Sequence, residues 1–260
     1  MLIDTHAHLT FPDFADDLEG ILARASDAGV TRSITIGTSI ESSRRAVELA
    51  EKYPNVFAAI GIHPDNAMEA TPSFLEELRA LAKSPRVVAI GETGLDYFRR
   101  MPERVAAEKG TQSAVLTAQL ELAADLGLNV IIHERESWDD TLAILAPFAG
   151  RLRAQFHCFG KSLAHAETVI ALGHLVSFTG IVTFKSAAIV QDAAARLPSG
   201  TFMIETDCPY LAPVPFRGKR CEPAHTRATA EHIARLRAQP LETIAAETTA
   251  TAEKFFRFQG

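Results

Sequence analysis

Short apolar segments alternate with longer amphipathic segments along this chain. The apolar segments are continuous and partly β-branched, which is typical of strands that are buried on both faces of a sheet. We predict eight strands in this way, over residues 2–6, 33–38, 56–63, 86–92, 128–133, 152–158, 174–179 and 201–207. The alternation therefore predicts parallel strands that are connected by helices.

The segments between these strands show the apolar period of helices. In residues 17–28, for example, Leu18, Ile21 and Leu22 fall on one face. Further helices are predicted over residues 73–81, 105–126, 163–172 and 187–197, and after the eighth strand over 225–239 and 241–256. A strand–helix unit repeated eight times gives an α/β fold, a (β/α)8 TIM barrel, which we expect to form a single domain over residues 1–260.

Six of the predicted strands run into a side chain that can bind a metal. Parallel strands deliver such residues to one mouth of a barrel, where barrel enzymes build their sites. His6 and His8 lie two residues apart, so both would point to the same face of a strand. The predicted metal ligands are His6, His8, Glu92, His133, His157 and Asp207.

The carboxylates among these residues suggest distinct roles. Glu92 lies between Gly91 and Gly94, and a single carboxylate can bridge two cations. Asp207 can hold a cation and take a proton from a water, and Glu205 is expected to orient a ligating histidine. Asp207 and Glu92 are therefore the first two predicted catalytic residues.

The remaining histidines are assigned by position. His63 follows the third strand and is predicted to be a catalytic residue that hydrogen-bonds the substrate or the leaving group, rather than a metal ligand. His165 and His232 fall on predicted helices, and His174 begins the seventh strand at the opposite end of the barrel. His225 remains open between a structural role and a role at the mouth.

Composition limits the classes of function. The chain has 260 residues, of which 47% are hydrophobic, and a formal net charge of -6. Bulk charge therefore argues against a protein that coats nucleic acid, although it does not exclude a nuclease. Three cysteines without close spacing suggest a reduced compartment, and Cys158 and Cys208 are expected to be small buried residues that point away from the ligands. We predict a cytoplasmic protein without signal peptide, membrane span or stable protein partner.

Basic residues follow several of the strand ends. They are Arg99, Arg100, Arg135, Lys161, Lys185, Arg217, Lys219 and Arg220. A basic rim around a cationic centre suits an anionic substrate such as a phosphodiester, although scattered charges also form solvated rims. Arg135 and Arg217 are predicted to bind substrate. Aromatic residues in the same loops could stack on bases or simply pack, namely Phe98, Tyr210 and Phe216.

Together these segments resemble the TatD family of metal-dependent nucleases, within the amidohydrolase-like metal barrels. The matching segments are residues 4–9, 61–64, 90–96, 133 with 135, 156–159, 205–211 and 215–220. The resemblance implies nucleic acid as the substrate and hydrolysis of DNA or RNA ends, as an exonuclease. It also implies two divalent cations, magnesium or manganese in the cell, with zinc, nickel or iron as alternatives in the purified protein. One cation would be held by His6, His8, Glu92 and Asp207, and the other by Glu92, His133 and His157.

The chain departs from the family at some positions. The family often has asparagine where Cys221 stands, Ser-Gly where Gly160 and Lys161 stand, and a small residue where Ser137 stands. Some members are reported to act on other ester bonds, including aminoacyl-tRNA. The substrate is therefore less constrained by the resemblance than the metal site is.

Two other functions remain open. The first is an amidohydrolase or esterase that acts on a C–N or carboxylic ester bond. Such enzymes often bridge their metals with a modified lysine on the fourth strand, where this chain has Glu92. The second is a non-catalytic barrel with a structural metal, but structural sites are usually closed by four ligands such as cysteines.

Overall fold

The computed structural model describes residues 1–98 and 102–258, with the backbone alone for residues 102–106. Eight strands form one parallel sheet in chain order. They are β1 (Leu2–Ala7), β2 (Val30–Ile36), β3 (Val56–Ile60), β4 (Val87–Asp96), β5 (Asn129–Arg135), β6 (Ala154–Phe156), β7 (Leu175–Phe178) and β8 (Phe202–Ile204). The predicted (β/α)8 TIM barrel is confirmed.

Helices alternate with the strands and form the outer layer. They are α1 (Leu18–Asp27), α2 (Ile40–Lys52), α3 (Phe74–Leu81), α4 (Pro102–Leu126), α5 (Trp138–Leu145), α6 (Leu163–Ala171), α7 (Ala188–Arg196), α8 (Thr226–Leu236) and α9 (Leu241–Phe256). Within the described ranges, none of the helices is long and apolar enough to cross a bilayer.

The barrel closes between β1 and the segment that follows β8. Ala7 and Cys208 form a parallel bridge. The N–H of Asp207 donates to the C=O of His6 at 2.9 Å, and the N–H of His8 donates to the C=O of Cys208, also at 2.9 Å. Barrel closure therefore brings the last predicted ligand beside the first two.

Two apolar clusters hold the barrel together. The larger packs the helices against the outside of the sheet. The smaller fills the inside with residues of β1 to β5, β7 and β8, such as Ile34 and Met203, and is closed by Phe255 and Phe256 of α9. The N-terminal end of the barrel is thus plugged by apolar side chains, and the polar candidates lie towards the other end.

Several predicted bounds were wrong. β4 runs to Asp96 rather than ending at residue 92, so Glu92 lies inside a strand. β6 and β8 end early, at Phe156 and Ile204, so His157 and Asp207 lie in the loops beyond them. Two helices, α2 and α5, were not predicted. α2 buries mainly small residues such as Ser43 and Ala46, so its buried face carries few large apolar side chains.

Candidate metal centre

Glu92 lies at the centre of the predicted ligands. Its Oε2 is 3.4 Å from His6 Nε2 and 3.9 Å from His8 Nε2. Its Oε1 is 2.8 Å from His133 Nδ1 and 2.8 Å from His157 Nε2. The two oxygens of one carboxylate therefore face two different sets of imidazoles.

Asp207 completes the first of these sets. Its Oδ1 lies 3.3 Å from His8 Nε2 and 3.7 Å from His6 Nε2. The residue has a φ of 59°, in the left-handed region that aspartate and asparagine tolerate better than most other residues. All six predicted ligands are thus brought together at one mouth of the barrel.

Asp4 supports this arrangement and was not among the predicted site residues. Its fully buried carboxylate accepts hydrogen bonds from the N–H of Thr206 at 2.9 Å, the Oγ1–H of Thr206 at 2.6 Å and the N–H of His6 at 3.3 Å. Burial raises the pKa of Asp4 to about 8, although these hydrogen bonds oppose the shift. Asp4 therefore ties β1 to the segment that carries Asp207. Its position two residues before His6, on the same face, was the available signal.

Glu205 lies beneath the cluster and is fully buried. Its Oε2 accepts hydrogen bonds from Gln155 Nε2 at 2.9 Å and Ser177 Oγ at 2.6 Å, and its Oε1 accepts the N–H of Cys158 at 2.6 Å. His157 Nδ1 is 3.5 Å from the same Oε1, which is too long for a good hydrogen bond. Glu205 thus fixes the backbone next to His157 more directly than it orients the ring.

His63 presents its Nε2 to the cluster. Its Nδ1 accepts the N–H of Asp65 at 3.1 Å, so the neutral ring carries its proton on Nε2. That Nε2 lies 3.5 Å from Glu92 Oε1. The geometry is compatible with a hydrogen-bond donor at the edge of the site.

The carboxylate of Asp96, at the end of β4, contacts both Phe98 and His133. Its Oδ1 accepts the N–H of Phe98 at 2.8 Å, which agrees with the loop-ordering role expected from the sequence. Its Oδ2 lies 3.1 Å from His133 Nε2. Asp96 therefore also fixes the orientation of a candidate ligand, a contact that the sequence analysis missed.

The residues present fit divalent cations. His6 Nε2, which faces Glu92 and Asp207, is buried without a hydrogen-bond partner. Buried polar atoms are nearly always paired, so this nitrogen is available to bind a cation. Groups of three donors lie within 4.8 Å of one another around His6, His8 and Glu92, and around His63, Glu92 and His133. Imidazole and carboxylate donors suit first-row transition metals.

The charge state of Glu92 also favours cation binding. Burial by itself would raise the pKa of Glu92, but the neighbouring imidazoles of His157, His63 and His6 and the hydrogen bond with His133 hold it well below the usual range. Glu92 is therefore ionised at neutral pH, as a bridging ligand must be.

The pKa values of Asp207, His6 and His133 are also set by burial and by contacts with neighbouring groups. Burial opposes ionisation of Asp207, yet contacts with His8 and His6 lower its pKa. Burial lowers the pKa of His6, which favours the neutral imidazole that binds metals. Burial also disfavours protonation of His133, but its hydrogen bonds with Asp96 and Glu92 raise its pKa to about 9. A cation at His133 would have to displace that proton.

A pocket of about 560 Å³ opens beside the cluster. Its walls are formed by residues 133–136, 156–161, 181, 207, 210 and 211. Arg135 is in the wall, with its guanidinium 3.7 Å from the centroid of the Phe98 ring. Arg217, the other predicted substrate-binding residue, is not in this wall and lies 3.8 Å over Phe184. Arg99 and Arg100 lie outside the described residues.

Aromatic rings form another part of the mouth. Tyr210 is 54% exposed. Phe11, which the sequence analysis missed, stacks on His8 at 4.7 Å and meets the edge of Tyr210 at 6.2 Å. Phe216 stacks on His225 at 4.0 Å, so both of these residues take part in packing. Tyr210, which is exposed and lines the pocket, is therefore a ring that a substrate could reach.

The cysteines were predicted in part correctly. Cys208 is fully buried. Cys158 is only partly buried and lines the pocket, so the prediction that it is buried was wrong. Its Sγ lies 3.8 Å from Thr179 Oγ1, and its φ is 47°, so strand alternation does not predict the direction of its side chain.

The whole chain is similar to known proteins of one family. A model of the TatD related DNase family matches residues 3–257. YabD of Bacillus subtilis (strain 168), described as an uncharacterized metal-dependent hydrolase, is 39% identical over 259 residues, which cover 99% of both chains. The 3'-5' ssDNA/RNA exonuclease TatD of Erwinia billingiae is 34% identical over 263 residues, covering 98% of this chain and 99% of its own. The crystal structure of the TatD homologue YjjV of Escherichia coli K12 matches with a TM-score of 0.91 at 33% identity, over 99% of this chain and 98% of that one.

Proposed function

This chain belongs to the TatD related DNase family, and we propose that it is a metal-dependent hydrolase that cleaves phosphodiester bonds of DNA and RNA. The observation that carries the proposal is the position of Glu92, whose two oxygens face two separate sets of imidazoles. A carboxylate placed in this way could bridge the two cations of a two-metal hydrolase.

The candidate ligands divide into two groups. His6, His8 and Asp207 would hold one cation with Oε2 of Glu92, and His133 and His157 would hold the other with Oε1. Bound divalent cations lower the pKa of a water and neutralise charge on a phosphate. We propose magnesium or manganese in the cell, because a phosphate substrate supplies the oxygen ligands that these ions prefer.

The residues of the chain have separate tasks in this reaction. Ionised Asp207 accepts a proton from the attacking water as the new P–O bond forms. His63, with its proton on Nε2, donates to the leaving oxygen as the old P–O bond breaks. Arg135 is placed to contact the phosphate from the pocket wall, and Tyr210 offers a ring for the bases.

The size of the pocket favours a single strand as the substrate. A volume of about 560 Å³ is typical of pockets for small molecules, and it would not enclose a duplex. The relative from Erwinia billingiae is named a 3'-5' ssDNA/RNA exonuclease, which supports the same proposal. We therefore propose an exonuclease acting on single strands.

The proposal is tested with manganese-loaded protein and labelled single-stranded DNA, double-stranded DNA and RNA oligonucleotides, by reading product lengths over time. We expect stepwise shortening of single strands. Asp207→Asn and Glu92→Gln should each lower the rate by at least about a hundredfold, since each removes a charged group at the reacting centre. The Tm should change little, because asparagine also tolerates the backbone conformation of residue 207.

A matched control is His232→Gln, which changes a histidine on α8 away from the cluster and should leave the rate unchanged. Intact oligonucleotides together with hydrolysis of a carboxylic ester or aminoacyl ester would contradict the nuclease proposal. They would support the esterase or amidohydrolase alternative instead.

A further inference from the structure

We propose that Lys161 binds a second phosphate of the substrate, next to the phosphate that is cleaved. The inference rests on the proposed function, because it requires a substrate with more than one phosphate. It goes beyond that function because it assigns a residue that chooses between a polynucleotide and an isolated phosphodiester.

Lys161 shares the pocket with the candidate metal centre. It follows His157 in the loop after β6, and both residues line the same pocket as His133 and Asp207. The Lys161 side chain is 31% exposed, so a ligand in the pocket can reach it. Its ion pair and its ring contact in the described structure are with Glu134 and Trp138, not with the candidate metal ligands.

The ammonium group of Lys161 is held in place from one side. Its Nζ lies 3.3 Å from Oε2 of Glu134 and 5.5 Å from the centroid of the Trp138 ring. Glu134 is itself fixed, because its Oε1 accepts the N–H of Ser137 at 2.9 Å and its side chain is only 6% exposed. A lysine side chain usually loses much conformational entropy on binding a ligand, and this pre-ordering reduces that cost.

The ammonium of Lys161 still has donors to offer. It carries three N–H groups, and one oxygen of Glu134 can engage only part of them. Arg135 adds a second cation to the same wall of the pocket. A polynucleotide presents a phosphate at every linkage. A strand with one phosphate at the candidate metal centre can therefore place the next phosphate against the pocket wall that carries Lys161 and Arg135. A substrate with a single phosphate cannot make this second contact.

The test compares two substrates of the manganese-loaded protein by steady-state kinetics. One is a short single-stranded oligonucleotide and the other is bis(4-nitrophenyl) phosphate, which has one phosphate only. For Lys161→Met we expect KM for the oligonucleotide to rise about tenfold, the size of one lost charge-assisted hydrogen bond, with kcat nearly unchanged. The kinetics with bis(4-nitrophenyl) phosphate should stay at the wild-type values.

Lys83→Met is the matched control, because Lys83 is exposed in the loop before β4, at the opposite end of the barrel, and is not part of the pocket wall. It should leave the kinetics with both substrates unchanged. An unchanged oligonucleotide KM in Lys161→Met, or an equal loss with both substrates, would overturn the inference. Cleavage of neither substrate by the wild-type protein would instead contradict the proposed function itself.

A second variant separates two effects of Lys161→Met, the loss of the ammonium group and the loss of the cation that pairs with Glu134. Lys161→Met leaves the Glu134 carboxylate buried without its cation, which could itself repel a phosphate or weaken the fold. The double variant Glu134→Gln with Lys161→Met removes that charge. If KM for the oligonucleotide remains about tenfold raised in the double variant, the ammonium binds phosphate. Recovery of the wild-type KM would show that Lys161 only neutralises Glu134.

Discussion

At the scale of single residues, buried histidines in this barrel differ by the partners that they meet. His6 has no hydrogen-bond partner for either ring nitrogen, and its Nε2 faces two carboxylates. His174 is also buried, but its Nδ1 accepts the N–H of Ala154 at 3.2 Å. The first arrangement leaves a buried nitrogen that could bind a cation, whereas in the second arrangement Nδ1 already has a hydrogen-bond partner.

His174 should make the protein sensitive to acid. Burial, helped by the charge of Arg153, lowers its pKa to about 4, whereas a histidine in the unfolded chain titrates near 6.5. As the pH falls below about 6.5, the unfolded state takes up a proton that the folded state refuses until about pH 4. Stability that is present above pH 6.5 is therefore lost progressively across this window.

We predict that the Tm of His174→Asn falls less than that of the wild type between pH 6.5 and pH 4. Asparagine keeps an acceptor for the N–H of Ala154 but does not titrate. Melting curves recorded with a chelator in both samples exclude metal release as a cause. Parallel plots of Tm against pH for the two proteins would show that His174 does not contribute.

The candidate ligands were easier to identify from the sequence than the residues that hold them in place. His6, His8 and His133 lie at the ends of short apolar segments or just beyond them, a local signal that can be read from neighbouring residues. Asp4 acts through Thr206, which is 202 positions away, and Phe11 acts by stacking on His8 from a loop. No local pattern identifies such partners, because the closure of the barrel brings them together.

At the scale of elements, β4 departs most from its predicted form. Its pairing with β3 reaches Ile90, whereas its pairing with β5 continues to Asp96. Two buried glutamines of α4 form hydrogen bonds with the part of β4 that lies beyond its pairing with β3. Gln112 accepts the N–H of Asp96 at 3.0 Å and donates to its C=O at 3.2 Å. Gln119 donates to Thr93 Oγ1 at 2.6 Å. Glutamine in a helix normally indicates a solvent-exposed face, so these two hydrogen-bonded glutamines could not be predicted from the sequence.

Gly94 makes the close pairing of β4 and β5 possible. Its φ is 149°, and a Cβ at this position would lie 1.9 Å from the carbonyl oxygen of His133. We predict that Gly94→Ala lowers the free energy of unfolding by about 3 kcal/mol or more, because the new methyl group displaces β5 and strains the backbone. Denaturant unfolding measures the change, and metal binding should weaken as His133 moves.

The control for this prediction is Gly110→Ala, within α4, where a Cβ would meet nothing within 4 Å. This change should raise the free energy of unfolding by about 0.5–1 kcal/mol, since alanine favours a helix more than glycine does. Equal unfolding midpoints for Gly94→Ala and the wild type would contradict the proposed role of Gly94.

At the scale of the whole molecule, the apolar core that stabilises the barrel and the candidate metal centre lie at opposite ends. The apolar interior is closed at one end by α9, and the candidate metal centre lies at the other. The fold could be predicted because eight weak strand and helix signals agree with one another. The closing contact between Ala7 and Cys208 could not be predicted, since it joins segments about as far apart as the chain allows.

The net charge of the whole chain, -6, does not predict the local charge at the mouth of the barrel. Arg135 and Lys161 line the pocket, whereas Arg217 lies over Phe184, outside its wall. The sequence shows which basic residues follow strands, but the direction of each loop decides which of them reach the substrate.

Anomalous diffraction from a crystal of this protein grown with manganese tests the central claim most directly. We predict two manganese peaks on either side of Glu92, one beside His6, His8 and Asp207 and the other beside His133 and His157. A map without a peak among these side chains, or with a single peak bound by both oxygens of Glu92, would contradict the account.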